Sequence, residues 1–319
     1  FDLRGEAPFV DGDALLAVIG SEKEQRPQVE TTPPTLETSW RDGMEGVLRL
    51  DIGHLKQSGY HIRPLAAKIA LRGDQTLVEI LQADLCDVSL PGNLKMDSAH
   101  LQVQLQPTAA TRNVGQALSC LFQQPVKADG HLYLVGDLSA EGALGEVVDK
   151  LNGQVVMTAT EGRIYQANIL AKILALVNVT EIFAGQYPGF TEEGMAYKRF
   201  ELSGQFENGV FALDTCSLDS PSLQMTCKGS VDLPNETIDI TVLAAPLKTV
   251  DRIVSTLPVV GYVLGDTLIS IPIKVKGPIA DPKVVPLSPK AMGKGVLDMM
   301  KRTFQVPVKV LAPVTGKGH

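Results

Sequence analysis

The chain has 319 residues, which is enough for two ordinary domains or one elongated one. Its net charge of −7 and its pI of about 5.3 argue against a general nucleic-acid-binding protein. Hydrophobic residues make up 44% of the chain but aromatic residues only 5%, so the apolar content is mostly aliphatic. Such content suits a surface for acyl chains or an ordinary β core, and composition alone favours the core.

The first 39 residues predict the end of a partial repeat followed by a linker. A short helix is expected from Asp13 to Ile19, and the polar stretch from Ser21 to Ser39, rich in Pro and Thr, has no hydrophobic period. The sequence starts at Phe1 without a charged, apolar leader. We therefore expect it to be part of a longer protein whose signal or membrane anchor lies upstream.

Residues 40–145 predict an antiparallel β meander with one helix, Thr111–Phe122. A single strand is expected from Asn93 to Leu105, and the Arg72-Gly73-Asp74 string is better explained as a tight turn than as an adhesion motif. Alternation places two sets of aliphatic side chains on one side of their strands. These are Leu48, Leu50 and Ile52, and then Leu101, Val103 and Leu105.

Residues 146–319 predict a continuation of the same sheet. A largely buried helix is expected over Asn168–Phe183, and Asn208-Gly209 is the strongest hairpin signal in the chain. In the strand Thr267–Lys276, Pro272 lacks a backbone donor, which predicts a position at or near a sheet edge. The aliphatic side chains on one side of that strand are Ile269, Ile271, Ile273 and Val275.

The chain ends with an amphipathic, basic, Met-rich helix over Pro289–Phe304 and a short tail. Two interpretations stay open for this helix. It caps the apolar end of the sheet, which is the favoured interpretation, or it contacts a membrane or a partner protein; Gly293 and Gly295 weaken the helix. Its apolar side consists of Met292, Val296, Met299, Met300 and Phe304.

No catalytic or metal-binding pattern survives its context, so we expect neither an enzyme nor a cofactor. Gly-Lys-Gly occurs twice but never after a strand in phosphate-loop spacing, and no GxSxG or HExxH motif is present. The five histidines are scattered. The four cysteines also lack metal-ligand spacing, and they are either disulfide-bonded or buried free thiols.

Four segments in fixed order resemble the C-terminal region of the AsmA-like proteins, a group that includes the TamB-type and YhdP-type proteins. The segments are Gly162–Phe183, Gly194–Asn208, Leu243–Pro258 and Leu268–Lys290. The resemblance implies a mainly β protein of the bacterial envelope in which an elongated, strongly curved antiparallel sheet forms an apolar groove. It implies a periplasmic location and a role in lipid traffic to the outer membrane.

On this resemblance the aliphatic faces become candidates for an acyl-chain track, and the expected partners are phospholipid acyl chains, with inner- or outer-membrane proteins as further possibilities. No nucleic acid is expected. The alternative is an assembly module that supports outer-membrane protein insertion through protein contacts. In an oxidising periplasm the local disulfides would be Cys86–Cys120 and Cys216–Cys227.

Overall fold

The computed structural model describes residues 1–14, 45–97, 100–112, 114–123, 125–166, 168–177, 194–246, 262–264 and 268–287. Within these ranges the protein is mainly β, as the sequence predicts. Alternating side chains and short polar turns let consecutive segments pair as neighbours, and twenty strands of this part of the chain form the architecture.

The elements in chain order are β1 (Asp2–Ala7), β2 (Val10–Asp11), β3 (Glu45–Ile52), β4 (Leu55–Gln57), β5 (Tyr60–Arg72), β6 (Gln75–Leu85), β7 (Val88–Ser89), β8 (Gly92–Met96), β9 (Leu101–Leu105), β10 (Thr108–Thr111), α1 (Val114–Phe122), β11 (Lys127–Ala128), β12 (His131–Gly142), a 3₁₀ turn (Leu144–Glu146), β13 (Asn152–Gln166), α2 (Asn168–Val177), β14 (Met195–Glu207), β15 (Val210–Asp219), β16 (Leu223–Asp232), β17 (Thr237–Pro246), β18 (Tyr262–Leu264), β19 (Leu268–Pro278) and β20 (Lys283–Pro286).

The ladder pairings arrange the strands in one long sheet. Its main order is β1, β3, β5, β6, β8, β9, β12, β13, β14, β15, β16, β17, β19 and β20. The shorter strands β2, β4, β7, β10, β11 and β18 extend these ladders at their ends. With about 4.8 Å between neighbouring strands, the fourteen main positions span roughly 60 Å across the sheet.

Nearly all pairings are antiparallel because tight turns join consecutive strands. Gly73 (φ 60°) lies in the turn between β5 and β6, and Asn208 (φ 50°) and Gly209 (φ 77°) form the turn between β14 and β15. Both predicted turns are therefore present, with the left-handed backbone that such turns need. The sheet is mixed rather than purely antiparallel, since β1 runs parallel to β3 and β2 runs parallel to β4.

The segment expected as one strand from Asn93 to Leu105 is instead a hairpin of β8 and β9. Asp97 causes the difference, because its Oδ1 accepts a hydrogen bond from the backbone N of His100 at 2.8 Å. Its own backbone N donates to the His100 carbonyl at 3.0 Å. An aspartate that bonds the backbone in this way turns the chain where hydrophobic alternation alone would continue it.

Register shifts interrupt the ladders of both halves of the sheet. They occur between β5 and β6 near Ala66, between β14 and β15 near Ser203, and between β15 and β16 after Ala212. A β-bulge bends its strand and increases the local twist. Pro272 lies in β19, one strand from the β20 end of the described sheet, as its missing donor predicts.

Two helices lie against the sheet. The helix α1 packs on β11, and α2 packs on β17 and β20. Only Asn168–Val177 of the predicted second helix belongs to the described residues. The helix expected over Asp13–Ile19 extends beyond them, and the predicted Pro289–Phe304 helix and the tail lie entirely outside.

Candidate functional site: the apolar face of the sheet

One side of the sheet carries aliphatic side chains across its entire width. Directly opposed residues of an antiparallel pair point to the same side, so the register can be followed from strand to strand. In the first part of the sheet one such row runs through Leu48, Ile69, Val78, Leu94, Val103 and Ala140. A row of the second part runs through Leu134, Met157, Leu202, Cys216, Cys227, Val242 and Ile273.

We call this side, with the residues two positions away on each strand, the apolar face. At the positions of these rows and at their ladder neighbours two residues away, the described strands carry no Asp, Glu, Lys, Arg or His, and hydroxyl side chains are few, among them Thr76 on β6 and Thr111 opposite the buried Leu132. Successive residues of a strand point to opposite faces, so a shift of one residue would bring charged side chains onto this face. Such complete sorting marks the apolar face as the side turned away from water.

The opposite side, which we call the polar face, carries paired charges. Arg49 Nη1 on β3 lies 2.5 Å from Asp2 Oδ1 on β1, and Arg4 Nη2 lies 3.1 Å from Asp51 Oδ2. Lys68 on β5 faces Glu79 on β6 at 3.8 Å. These side chains are about half exposed, so the pairs add little stability, but they fix which side of each strand faces water.

Burial divides the apolar face into two regions. In the closed region, which comprises the apolar face of β13–β20, Ile240 is 8% exposed and Ile273 and Val275 are 0% exposed. In the open region, which comprises the apolar face of β3–β9, Leu48, Leu50, Ile69, Val78 and Leu94 are only half-buried, whereas the smaller Ala67 and Thr76 are buried. At the border with the closed region, Leu101 and Val103 of β9 are buried with Ala140 of β12 in a small separate cluster.

The two helices contribute to the closed region. Leu170 and Ile173 of α2 and Val114 and Ala117 of α1 are buried in the same hydrophobic cluster as the apolar face. The ammonium group of Lys172 on α2 donates to Asp281 Oδ1 at 2.6 Å and to the carbonyl of Pro282 at 3.1 Å. This hydrogen bond lowers the pKa of Asp281 below its ordinary value of 3.8. The helix α2 is therefore attached to the turn between β19 and β20 by both apolar and ionic contacts.

Register places nine of the ten predicted track residues on the apolar face. Leu48, Leu50, Ile52 and Leu105 are half-buried, whereas Leu101, Val103, Ile271, Ile273 and Val275 are buried. Ile269 belongs to β19 and pairs with Val263. The end helix residues Met292, Val296, Met299, Met300 and Phe304 lie outside the described residues.

Sequence reasoning did not single out the open-region residues on β5, β6 and β8. They are Ile69, Leu71, Val78, Ile80, Leu94 and Met96. The signal was ambiguous because both sides of β5 and β6 carry apolar residues, including Ala70 and Leu77 on the polar face. The pairing of Ile69 with Leu48 shows which side of β5 belongs to the apolar face, and this pairing exists only in the folded sheet.

The structure joins Cys86 to Cys120 and Cys216 to Cys227, with Cα–Cα distances of 5.5 and 5.0 Å. The first bond connects the turn after β6 to α1. The second lies on the apolar face, where the β15–β16 ladder is interrupted between Ala212 and Ser217. Each bond therefore secures a place where backbone pairing is incomplete.

A family model described as "YhdP protein" matches residues 14–284 of the chain. The chain belongs to the YhdP family. This family is part of the AsmA-like group of envelope proteins, so the resemblance proposed from four short segments is confirmed. The match includes most of the first half of the chain, which contains none of those four segments. No curated protein and no solved structure matches the chain.

Two features are absent from the described part of this YhdP family member. No helix there is long and apolar enough to cross a bilayer. No group of three or more His, Cys, Asp or Glu side chains there is placed to hold a metal ion.

Proposed function

We propose that this protein holds or conducts phospholipid between the inner and outer membranes, with acyl chains on the open region of the apolar face. The observation that carries the proposal is an uncharged aliphatic face that is continuous over the sheet but covered unevenly. Its side chains are buried on β17 and β19, whereas most of the larger aliphatic side chains on β3, β5, β6 and β8 are only half-buried. An aliphatic surface of this width needs a cover, and in the open region we propose that lipid supplies it.

The open region is large enough for an acyl chain. From β3 to β9 it crosses β5, β6 and β8, which is about 19 Å at the usual strand spacing. One leaflet of a bilayer provides about 15 Å of hydrocarbon, so a chain of ordinary length fits. Each methylene removed from water contributes about 0.8 kcal/mol, and a tail can therefore be retained without a specific polar contact.

The proposed role is non-enzymatic and requires no cofactor. A carrier that moves lipid along an aliphatic surface needs no nucleophile or general base, and the ladder positions of the apolar face on β3, β5, β6 and β8 carry no charged side chain or histidine among the described residues. We further propose that the chain lies in the periplasm, anchored to the inner membrane by a segment upstream of Phe1. Family membership supports an envelope location, and the anchor is our inference.

The test compares two double variants whose substituted positions are neighbours in the sequence of each strand. Leu48→Asp with Val78→Asp places two carboxylates on the apolar face. Val47→Asp with Leu77→Asp places the same charges on the polar face of the same two strands. Each protein is purified, its fold is checked by circular dichroism, and bound lipid is extracted and identified by mass spectrometry.

We expect phospholipid to accompany the wild type and the polar-face variant and to be lost from the apolar-face variant. Equal lipid in both variants, or a wild type that neither carries nor takes up added phospholipid, would contradict the proposal. Such a result would favour the assembly module, in which proteins rather than lipids cover the apolar face.

A further inference from the structure

The polar face at the β20 end carries an excess of lysines. Lys276 on β19 and Lys283 on β20 are directly opposed in the ladder, which places like charges side by side. Lys274 lies two residues along β19, and Lys228 on β16 faces Thr241, which in turn faces Lys274. We call these four residues the lysine patch.

A single carboxylate lies within the lysine patch. Asp239 on β17 bonds the ammonium groups of both Lys274 and Lys276, the latter at 3.1 Å. The hydrogen bond from Lys274 lowers the pKa of Asp239, which therefore stays ionised at neutral pH. Among the described residues Lys228 and Lys283 have no ion-pair partner. The patch thus carries an excess of three positive charges in a chain whose net charge is −7.

The patch is accessible and has an apolar element. The Lys276 side chain is 68% exposed, Lys228 and Lys283 are also exposed, and Val285, opposite Lys274, is 48% exposed. At the other end of the sheet the polar face differs, because Arg4 and Arg49 are each bonded to an aspartate. The two arginines at that end are therefore neutralised by partners, whereas Lys228 and Lys283 have no ion-pair partner among the described residues.

The sequence that follows the sheet has the same charge. Leu287 donates its backbone N to the Pro272 carbonyl beside the patch. The 32 residues after it include one acidic residue, Asp298, against six basic ones, which are Lys290, Lys294, Lys301, Arg302, Lys309 and Lys317. Their sequence also predicts a Met-rich amphipathic helix, a pattern typical of membrane-surface segments when it is basic.

We propose that the lysine patch docks the β20 end of the sheet onto a membrane surface rich in anionic phospholipid. Phosphate head groups complement the excess charge, and Val285 adds an apolar contact at the level of the head groups. Docking at this place would bring one end of the apolar face to a bilayer. It would act independently of whether the open region holds acyl chains.

The experiment measures binding of the whole chain to vesicles of phosphatidylcholine alone and to vesicles containing phosphatidylglycerol. Lys276→Glu with Lys283→Glu reverses two charges of the patch. Lys95→Glu with Lys127→Glu makes the same change on exposed lysines of β8 and β11, far from β20 along the ladder. Lys228→Glu with Lys283→Glu is a second patch variant that leaves both partners of Asp239 in place.

We expect wild-type binding only to the anionic vesicles, with affinity that falls as salt rises. Because one lysine near an anionic surface contributes about 5-fold in affinity, both patch variants should bind at least about 30-fold more weakly, and the Lys95/Lys127 variant should bind within a few-fold of wild type. The variant Leu48→Asp with Val78→Asp should still bind vesicles, which separates this result from the test of lipid holding.

Wild-type affinity in the patch variants would overturn the proposal and assign any binding to the basic residues after Leu287 alone. Absence of wild-type binding to anionic vesicles would also overturn it, in favour of an acidic protein as the partner of the patch. An equal loss in the patch variants and the Lys95/Lys127 variant would show a general effect of net charge, and would equally reject a local docking site.

Discussion

The open and closed regions have the same surface chemistry but different packing. Leu48 on β3 and Ile273 on β19 are both aliphatic residues on one uncharged face, yet Leu48 is half-buried and Ile273 is 0% exposed. Helices α1 and α2 contribute buried side chains to the closed region. Within the described part of the chain, β3 and β5 pack mainly against the strands that pair with them. Identical residue types therefore serve as a core in one region and as an available surface in the other.

The most direct way to test this difference is to place the same charge in both regions. Ile273→Asp puts a carboxylate among fully buried aliphatic side chains, where we expect a loss of about 4 kcal/mol or more of unfolding free energy. Leu48→Asp should cost less than about 1.5 kcal/mol, because water reaches its site. Urea denaturation followed by circular dichroism measures both values. Similar losses at the two sites would mean that the open region is as closed as the other.

The two disulfides provide a second comparison, since one lies within the closed region and the other connects the open region to α1. Cys86 and Cys120 are separated by 34 residues, so replacing both by Ala should destabilise the protein by about 4 kcal/mol. Cys216 and Cys227 are separated by 11 residues, and their replacement should cost about 3 kcal/mol.

The number of unfolding transitions of the Cys86/Cys120 variant reports whether the two regions unfold together. A second transition in urea would indicate that the open region unfolds separately once its covalent link to α1 is removed. A single transition for both variants would show that the continuous ladder by itself keeps the two regions cooperative.

The smallest effect is expected at the contact that holds α2 over the closed region. Lys172→Ala removes the hydrogen bonds to Asp281 and Pro282. Backbone amides of α2 should then exchange faster with deuterium, with Lys198→Ala on β14 as the matched control. Unchanged exchange would mean that the apolar contacts of Leu170 and Ile173 suffice to hold the helix.

The pH dependence of the same contact follows from the lowered pKa of Asp281. A carboxyl group with a lowered folded pKa contributes stability above its unfolded pKa, here 3.8, and loses it as the pH falls through the folded value. Amide protection of α2 should therefore be constant from pH 8 to pH 5 and decline only below 3.8. A decline near neutral pH would show that another group controls the contact.

The sequence by itself determined the fold class, two of the turns and the family. Alternation in segments such as Gly46–Ile52 and the Asn208-Gly209 pair are local signals, because strand period and turn geometry depend on neighbouring residues. The four segments that resemble AsmA-like proteins are local as well. They were sufficient to identify the group to which the YhdP family belongs.

Only the tertiary structure decided how the face is divided. Nothing local distinguishes Leu48 from Ile273, because exposure depends on which elements lie over a strand, and those elements are distant in sequence. The same holds for the lysine patch, in which Lys228 and Lys283 are 55 positions apart in the chain but only three ladder steps apart in the sheet. Burial and local net charge are properties of the assembled sheet. They depend on the register in which its strands pair, because register decides which side chains become neighbours.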